Sequence, residues 1–213
     1  MLKTGILISG RGSNLQALLD DAKQSGSPSR AVVVVSNVLE AAGLERARAA
    51  GVATETINHK TYGSRGEFER ELDARLTHYK VDLVCLAGFM RLLTPWFVDR
   101  WRDKLINIHP SLLPAYPGLD THKRALAAGE KVAGCTVHFV RAEMDHGPII
   151  LQASVPVMPG DTEDTLAARV LEAEHKIYPQ AVRLIAEGRV NVFEENVFIT
   201  GADAPAQALA NPR

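Results

Sequence analysis

The sequence predicts an α/β fold: a single domain built on a Rossmann-like, largely parallel sheet with helices on both faces. Three observations carry this. Short β-rich apolar runs alternate with longer amphipathic segments through the first half, the pattern of parallel strands joined by helical crossovers. The runs VVVV and LVCLAG are continuously apolar, as strands covered on both faces are. The chain has 213 residues, enough for one sizeable core.

In order, strands are expected at Thr4–Ser9, Ala31–Ser36, Ala53–Ile57 and Leu83–Ala87, with helices between them at Asn14–Lys23, Leu44–Ala50 and Ser64–Tyr79, and a further one at Pro95–Arg102. Gly26 and Gly51 follow their helices where left-handed caps are expected. A fifth run, Lys104–Ile108, leads into HPSLLPAYPG, whose prolines and glycine forbid regular structure. After a helix at Lys123–Ala128 come two runs, Cys135–Val140 and Ile149–Pro156, linked by RAEMDHGP, and then a long helix at Thr162–Glu187. The domain is drawn as 1–197, with the small, polar, proline-containing tail 198–213 left unstructured.

Composition narrows the class. Twenty-four basic residues against 25 acidic ones give a net charge of -1, so no basic surface invites nucleic acid or an anionic membrane. Cys85 and Cys135 lie inside apolar runs and read as buried thiols in a reducing compartment. The N-terminus lacks the apolar stretch of a signal peptide or a spanning helix, so a cytoplasmic location is expected. Monomer and homodimer are both open.

Two places carry chemistry. In ISGRGSNLQALL, Gly10-x-Gly12 ends the first strand and Ser13 and Asn14 open a helix, aiming backbone N–H groups at an anion such as a phosphate. A dinucleotide fingerprint is not met, because Leu15 stands where the third glycine belongs. A tight turn with Ser13 capping the helix fits the same residues. In LINIHPSLLP, Asn107 and His109 are two apart, so on an extended strand end they point the same way. Asp145 lies in the EMDHGP loop, and a carboxylate near an imidazole favours its protonated form. An amide and an imidazolium suit a developing oxyanion, the equipment for acyl transfer through a tetrahedral intermediate. Read alone, these residues fit turn work as simply. The seven histidines are scattered without H-x-x-x-H or H-E-x-x-H spacing, so no metal site is expected. Neither Ser111 nor Ser13 sits in a G-x-S-x-G elbow.

With ISGRGSNLQALL, SNVLEAAGLERARAAGV, LAGFMRLL, INIHPSLLPAYPGLDTHKRAL, GCTVHFV and EMDHGPIILQ in this order, the chain resembles the bacterial phosphoribosylglycinamide formyltransferases over about residues 2 to 195. The resemblance implies a single-domain formyltransferase fold. It implies transfer of the formyl group of 10-formyltetrahydrofolate, a co-substrate, to the amine of N1-(5-phospho-D-ribosyl)glycinamide in purine (IMP) biosynthesis, with no metal. It implies Asn107, His109 and Asp145 as catalytic residues, and Gly12, Ser13, Asn14 and Glu174 against the ribonucleotide. It places Arg65, Met90, Arg91, Leu92, Leu93, Asn107, Arg141, Ala142, Glu143, Met144 and Asp145 at folate. Arg11 inside the phosphate turn and the small-residue tail after Val197 depart mildly from the family pattern, and the stretch Leu171–Glu174, which covers the matching position of Glu174, reads LEAE here. A 10-formyltetrahydrofolate hydrolase of the same fold and a non-catalytic nucleotide-binding module are the alternatives. A formyltransferase acting on initiator tRNA would need a basic surface that the balanced charge does not supply.

Overall fold

A computed structural model describes residues 1–201. The elements run β1 (Leu2–Ile8), α1 (Ser13–Ala22), β2 (Ser29–Ser36), α2 (Gly43–Ala49), β3 (Ala53–Thr56), a single 3-10 turn (His59–Thr61), α3 (Arg65–His78), β4 (Leu83–Leu86), α4 (Pro95–Arg100), β5 (Leu105–His109), α5 (Thr121–Ala127), β6 (Val132–Phe139), β7 (Ile149–Pro156), α6 (Glu163–Ala186), β8 (Val190–Phe193) and β9 (Asn196–Ile199). Seven strands form one sheet in the order β3-β2-β1-β4-β5-β6-β7. The first five are parallel to their neighbours, and β6 and β7 are antiparallel additions.

The two-residue period of the strands sorts their side chains into two cores. Ile6, Ile8, Val34, Cys85 and Ile106 enter one with Leu15, Leu19 and Tyr178 of the helices α1 and α6. Leu7, Val33, Val35, Val84 and Leu105 enter the other with Phe68 and Leu72 of α3 and Phe97 of α4. Both faces of the central strands are therefore covered, which is why their sequences are apolar without alternation. Connections leave β1 toward β2 on one side while β4 lies on the other, so the strand order reverses between β1 and β4. The crevice outside the carboxyl ends of such strands is where ligands of open α/β sheets bind.

The 24-residue α6 is held at its start by a capping box between Thr162 and Thr165. Its buried Tyr178 donates a hydrogen bond of 2.9 Å to the Leu86 carbonyl at the end of β4. Several expected boundaries shift. The strand expected from Cys135 begins at Val132, and the helix expected from Lys123 begins at Thr121. The boundary at Val197 falls inside a hairpin, β8–β9, that runs on to Ile199. Its turn residues Glu194 and Glu195 both have positive φ, a conformation signalled by Gly or Asn in most two-residue hairpins and not by Glu-Glu. The rest of the expected tail, 202–213, lies outside the described residues. Among the described residues no helix is long and apolar enough to cross a membrane.

The pairing of β6 with β7 tolerates no side chain at Gly134: a Cβ there would lie 2.1 Å from the Ala153 carbonyl oxygen and 2.8 Å from Leu112. Gly134→Ala is expected to cost about 3 kcal/mol, the scale of forced overpacking against backbone. Urea unfolding at equilibrium measures it, and a cost near zero would contradict this packing.

Candidate active site

At the end of β1 the chain turns through Gly10 and Gly12. Gly12 has φ 73°, and a Cβ on it would meet the Gly43 Cα of α2 at 2.9 Å, so glycine is required twice over. The Gly43 N–H donates to the Gly10 carbonyl at 3.0 Å, and Arg46 Nε donates to the Arg11 carbonyl at 2.9 Å, tying the turn to α2. Gly12 is the N-cap of α1 and no side chain caps that helix. Ser13 is thus not a cap, and the leading N–H groups of α1 are left for another acceptor. Asn14 is buried and its Nδ2 donates to Glu174 Oε2 of α6 at 2.6 Å, while its Oδ1 is buried without a partner. Burial pushes the Glu174 carboxyl above the usual carboxylate range, against the opposing Asn14 bond. The structure therefore joins Glu174 to the Gly12–Asn14 turn across 160 residues of sequence.

The end of β4 is bound to the same turn. Ser9 N–H donates to the Gly88 carbonyl at 3.1 Å, and the Met90 N–H donates to Ser9 Oγ at 2.8 Å. The Ser9 hydroxyl in turn donates to Asn37 Oδ1 at the end of β2, 2.6 Å away. Met90 is 72% exposed and Leu92 59%, two large apolar side chains facing solvent at strand ends, whereas Leu93 packs on the second core. Arg91 has a buried Nε without a partner. Thr94, which closes this stretch, gives its backbone N–H to the fully buried Glu69 of α3 at 2.8 Å and its hydroxyl to the same carboxylate. Arg65 is the first residue of α3 and exposed.

Asn107 and His109 leave β5 on one face, opposite His138 and Thr136 of β6. His109 is buried. Its Nε2 lies 2.9 Å from the Tyr116 carbonyl oxygen and its Nδ1 lies 3.5 Å from Asp145 Oδ1. Both ring nitrogens thus face oxygen atoms able to accept a hydrogen bond. Asp145 accepts a second bond, 2.7 Å, from the Gly118 N–H, and has φ 55°, a conformation costly for a residue with a Cβ and found where side chains are aimed for function. The loop after His109 is fixed from β6: Thr136 donates to the Ser111 carbonyl at 2.7 Å and accepts from the Leu113 N–H at 3.0 Å.

Sequence reasoning missed His138. Its Nδ1 lies 2.9 Å from the Phe139 carbonyl oxygen, so Nδ1 carries the proton and Nε2 presents a lone pair to Asn107 Nδ2 at 3.4 Å. Burial pushes its pKa down to about 4, the Phe139 carbonyl opposing. A histidine inside an apolar strand, GCTVHFV, carries no signal of this in sequence. Asn107, His109 and Asp145 are brought together, and so are Gly12, Asn14 and Glu174. Ala142, Glu143 and Met144 are exposed in the Asp145 loop, with Met144 beside Gly118. Arg141 is committed elsewhere: its guanidinium is paired with Asp103 and Glu195. Among the described residues no group of three or more His, Cys, Asp or Glu could hold a metal ion.

The formyl transferase family matches residues 2–182. The phosphoribosylglycinamide formyltransferase of Escherichia coli (strain K12) is 48% identical over 205 residues, covering 96% of this chain and 97% of that protein. The trifunctional purine biosynthetic protein adenosine-3 of Gallus gallus is 51% identical over 193 residues, and there the match spans only 19% of the relative's length. Glycinamide ribonucleotide transformylase 1 from Symbiobacterium toebii superposes with a TM-score of 0.92 at 52% identity, covering 94% of this chain and 95% of that one. With the strand order, the glycine turn and the Asn107–His109–Asp145 cluster in place, the chain belongs to the formyl transferase family, among its phosphoribosylglycinamide formyltransferases.

Proposed function

We propose that this chain transfers the formyl group of 10-formyltetrahydrofolate to the glycinamide amine of N1-(5-phospho-D-ribosyl)glycinamide, a step of purine biosynthesis. The observation that carries the reading is the His109 ring held between Asp145 and the Tyr116 carbonyl, beside an Asn107 amide fixed from β6. The Gly12–Asn14 turn takes the phosphate of the ribonucleotide, and Glu174, beside Asn14, takes polar groups farther along it. Arg65, the Met90–Leu93 stretch and the Arg141–Asp145 loop receive the folate, with the exposed apolar side chains Met90 and Leu92 walling its ring. The reducing cytoplasm suits the two free, buried cysteines.

The amine lone pair attacks the formyl carbon, and the carbonyl electrons move onto oxygen. Asn107 Nδ2 and an N–H of His109 stabilise that oxyanion. In the structure the Nε2 proton is held by the Tyr116 carbonyl, so reaching the formyl oxygen requires that bond to be shared or released. One proton of the attacking nitrogen then passes by way of Asp145 and water to N10, the C–N10 bond breaks, and the N-formylated ribonucleotide and tetrahydrofolate leave. The formyl group arrives already activated, so the protein's task is positioning and electrostatics.

His138 keeps its lone pair on the Asn107 amide only while neutral, which its depressed pKa ensures at neutral pH. An amide flipped end for end would offer its carbonyl, and repulsion, to the oxyanion.

Absorbance-monitored conversion of a 10-formyl folate analogue, with and without the ribonucleotide, tests the assignment. Turnover is expected only with the ribonucleotide; equal turnover in both cuvettes would make the chain a hydrolase, and none in either would return it to a binding module. His109→Ala is expected to lower turnover by about 10³-fold or more while folate still binds. Unchanged turnover in that variant would sink the catalytic role. A further expectation concerns pH. The unfolded chain protonates His138 near its ordinary pKa of about 6.5, and the folded chain only near about 4, so between these values the unfolded state binds more protons and stability falls as pH falls. The loss is about 3 kcal/mol in all. His138→Phe should flatten that part of a denaturation-midpoint-against-pH curve, and an unaltered slope would rule out a buried neutral histidine.

A further inference from the structure

The β8–β9 hairpin looks at first like an appendage after α6, yet its tip touches the loop that carries Asp145. Its inward residues Val190, Val192, Val197 and Ile199 pack on the first core. Its open end is tied by the Thr200 N–H to the Arg189 carbonyl at 2.9 Å and by Arg189 Nε to the Thr200 carbonyl at 2.7 Å. The hairpin is therefore anchored at its base, and its Glu194-Glu195 turn projects from a fixed frame. From that turn Glu195 Oε2 accepts from Arg141 Nε at 2.5 Å, and Oε1 accepts from Arg102 at 2.5 Å. On its other side Arg141 donates to Asp103 Oδ1, between α4 and β5, at 2.7 Å, and its remaining nitrogen donates to the Val140 carbonyl at 3.1 Å. All three nitrogens of a side chain only 11% exposed are thereby satisfied, two by carboxylates converging from separate elements and one by the Val140 carbonyl.

Arg141 stands at the second position of the loop between β6 and β7. The loop's far end returns to the same point: a Cβ on Gly147 would lie 1.9 Å from the Phe139 carbonyl oxygen and 3.3 Å from Cγ of Arg141. Between these two ends sit Met144 and Asp145, the latter facing His109. A side chain clamped in this way fixes where the loop leaves the sheet, and with it the direction of everything the loop carries.

We infer that Glu195 and Asp103 are positioning residues: through Arg141 they hold the Asp145 loop in its folate-receiving geometry, making the β8–β9 hairpin part of the donor site. This rests on the formyl transfer reading above for its kinetic consequence, but its structural consequence is independent of it. Glu195 is about half exposed, so the clamp is of moderate strength and sensitive to salt.

The test uses the full chain with Glu195→Gln, Arg141→Met and the double variant. Glu195→Gln is expected to lower kcat/KM for the formyl folate about three- to tenfold, the scale of one partly exposed charged hydrogen bond, with KM for the ribonucleotide within about twofold of the parent. The double variant should be no worse than Arg141→Met alone, since the two share one pathway. Raising KCl from about 0.05 to about 0.5 M should weaken the parent's folate KM more than that of Glu195→Gln. Hydrogen exchange of amides 142–147 should quicken in Glu195→Gln while exchange in β1 and β4 is unchanged. Unchanged exchange and unchanged folate kinetics would overturn the inference, as would parallel rises in both KM values or additive losses in the double variant. If the parent itself does not turn over, formyl transfer fails and the exchange comparison alone still decides whether the hairpin holds the loop.

Discussion

Polar strand ends that cannot be left unpaired govern this molecule. The sheet is covered on both faces, so the backbone and side-chain polar groups that emerge at the carboxyl ends of β1, β4 and β5 come out of an apolar interior and must find partners at once. They find them in one another. Ser9 bonds both the Gly88–Met90 backbone and Asn37, Tyr178 takes the Leu86 carbonyl, and Asn107 is met by His138. Each of these bonds fixes a neighbouring strand end relative to the next, so the requirement for satisfaction builds a rigid rim without a dedicated scaffold. The reversal of strand order between β1 and β4 then opens that rim to solvent at one place.

How much of this was legible in the sequence depends on the range over which the deciding contact acts. Strands β1 to β5 and the helices between them could be read, because continuous apolar runs alternate with amphipathic segments and glycines such as Gly26 and Gly51 mark helix ends. The glycine turn at Gly12 was legible as a turn, and the structure adds the reason for glycine there, namely the Gly43 backbone of α2 pressed against it. Asn107 and His109 were legible as a pair because strand geometry alone puts residues two apart on one face. Resemblance, not periodicity, singled out Glu174: on a helix face it is one charge among many, and only its burial against Asn14 distinguishes it.

What was not legible lies in pairings between distant segments with no compositional mark. His138 is one apolar-run residue until the antiparallel register of β6 on β5 sets it opposite Asn107. Glu69 reads as part of a charged helix, ERELDAR, yet it is fully buried and takes two bonds from Thr94. The β8–β9 hairpin was missed because its turn uses Glu194 and Glu195 with positive φ, where a glycine or asparagine would have announced it. In each case the sequence contains the residue and lacks the partner, and no local rule supplies the partner.

The two halves of the site differ in how they are held, and this has a chemical logic. The side proposed for the ribonucleotide is built on buried contacts: glycine against glycine, and Asn14 against a Glu174 carboxyl whose proton affinity is raised by burial. Buried contacts feel salt less than exposed ones and leave little freedom, which would suit the phosphate cradle proposed there. The side proposed for folate hangs on a loop fixed at its root by charge, with Asp145 at positive φ and the two His109 ring nitrogens facing Asp145 and the Tyr116 carbonyl. Those bonds are individually modest and can be exchanged for bonds to a substrate. Chemistry that moves a proton and develops charge on an oxygen needs donors that can be released at the right moment. The rigid half supplies position and the exchangeable half supplies the protons, and neither arrangement would serve in the other's place.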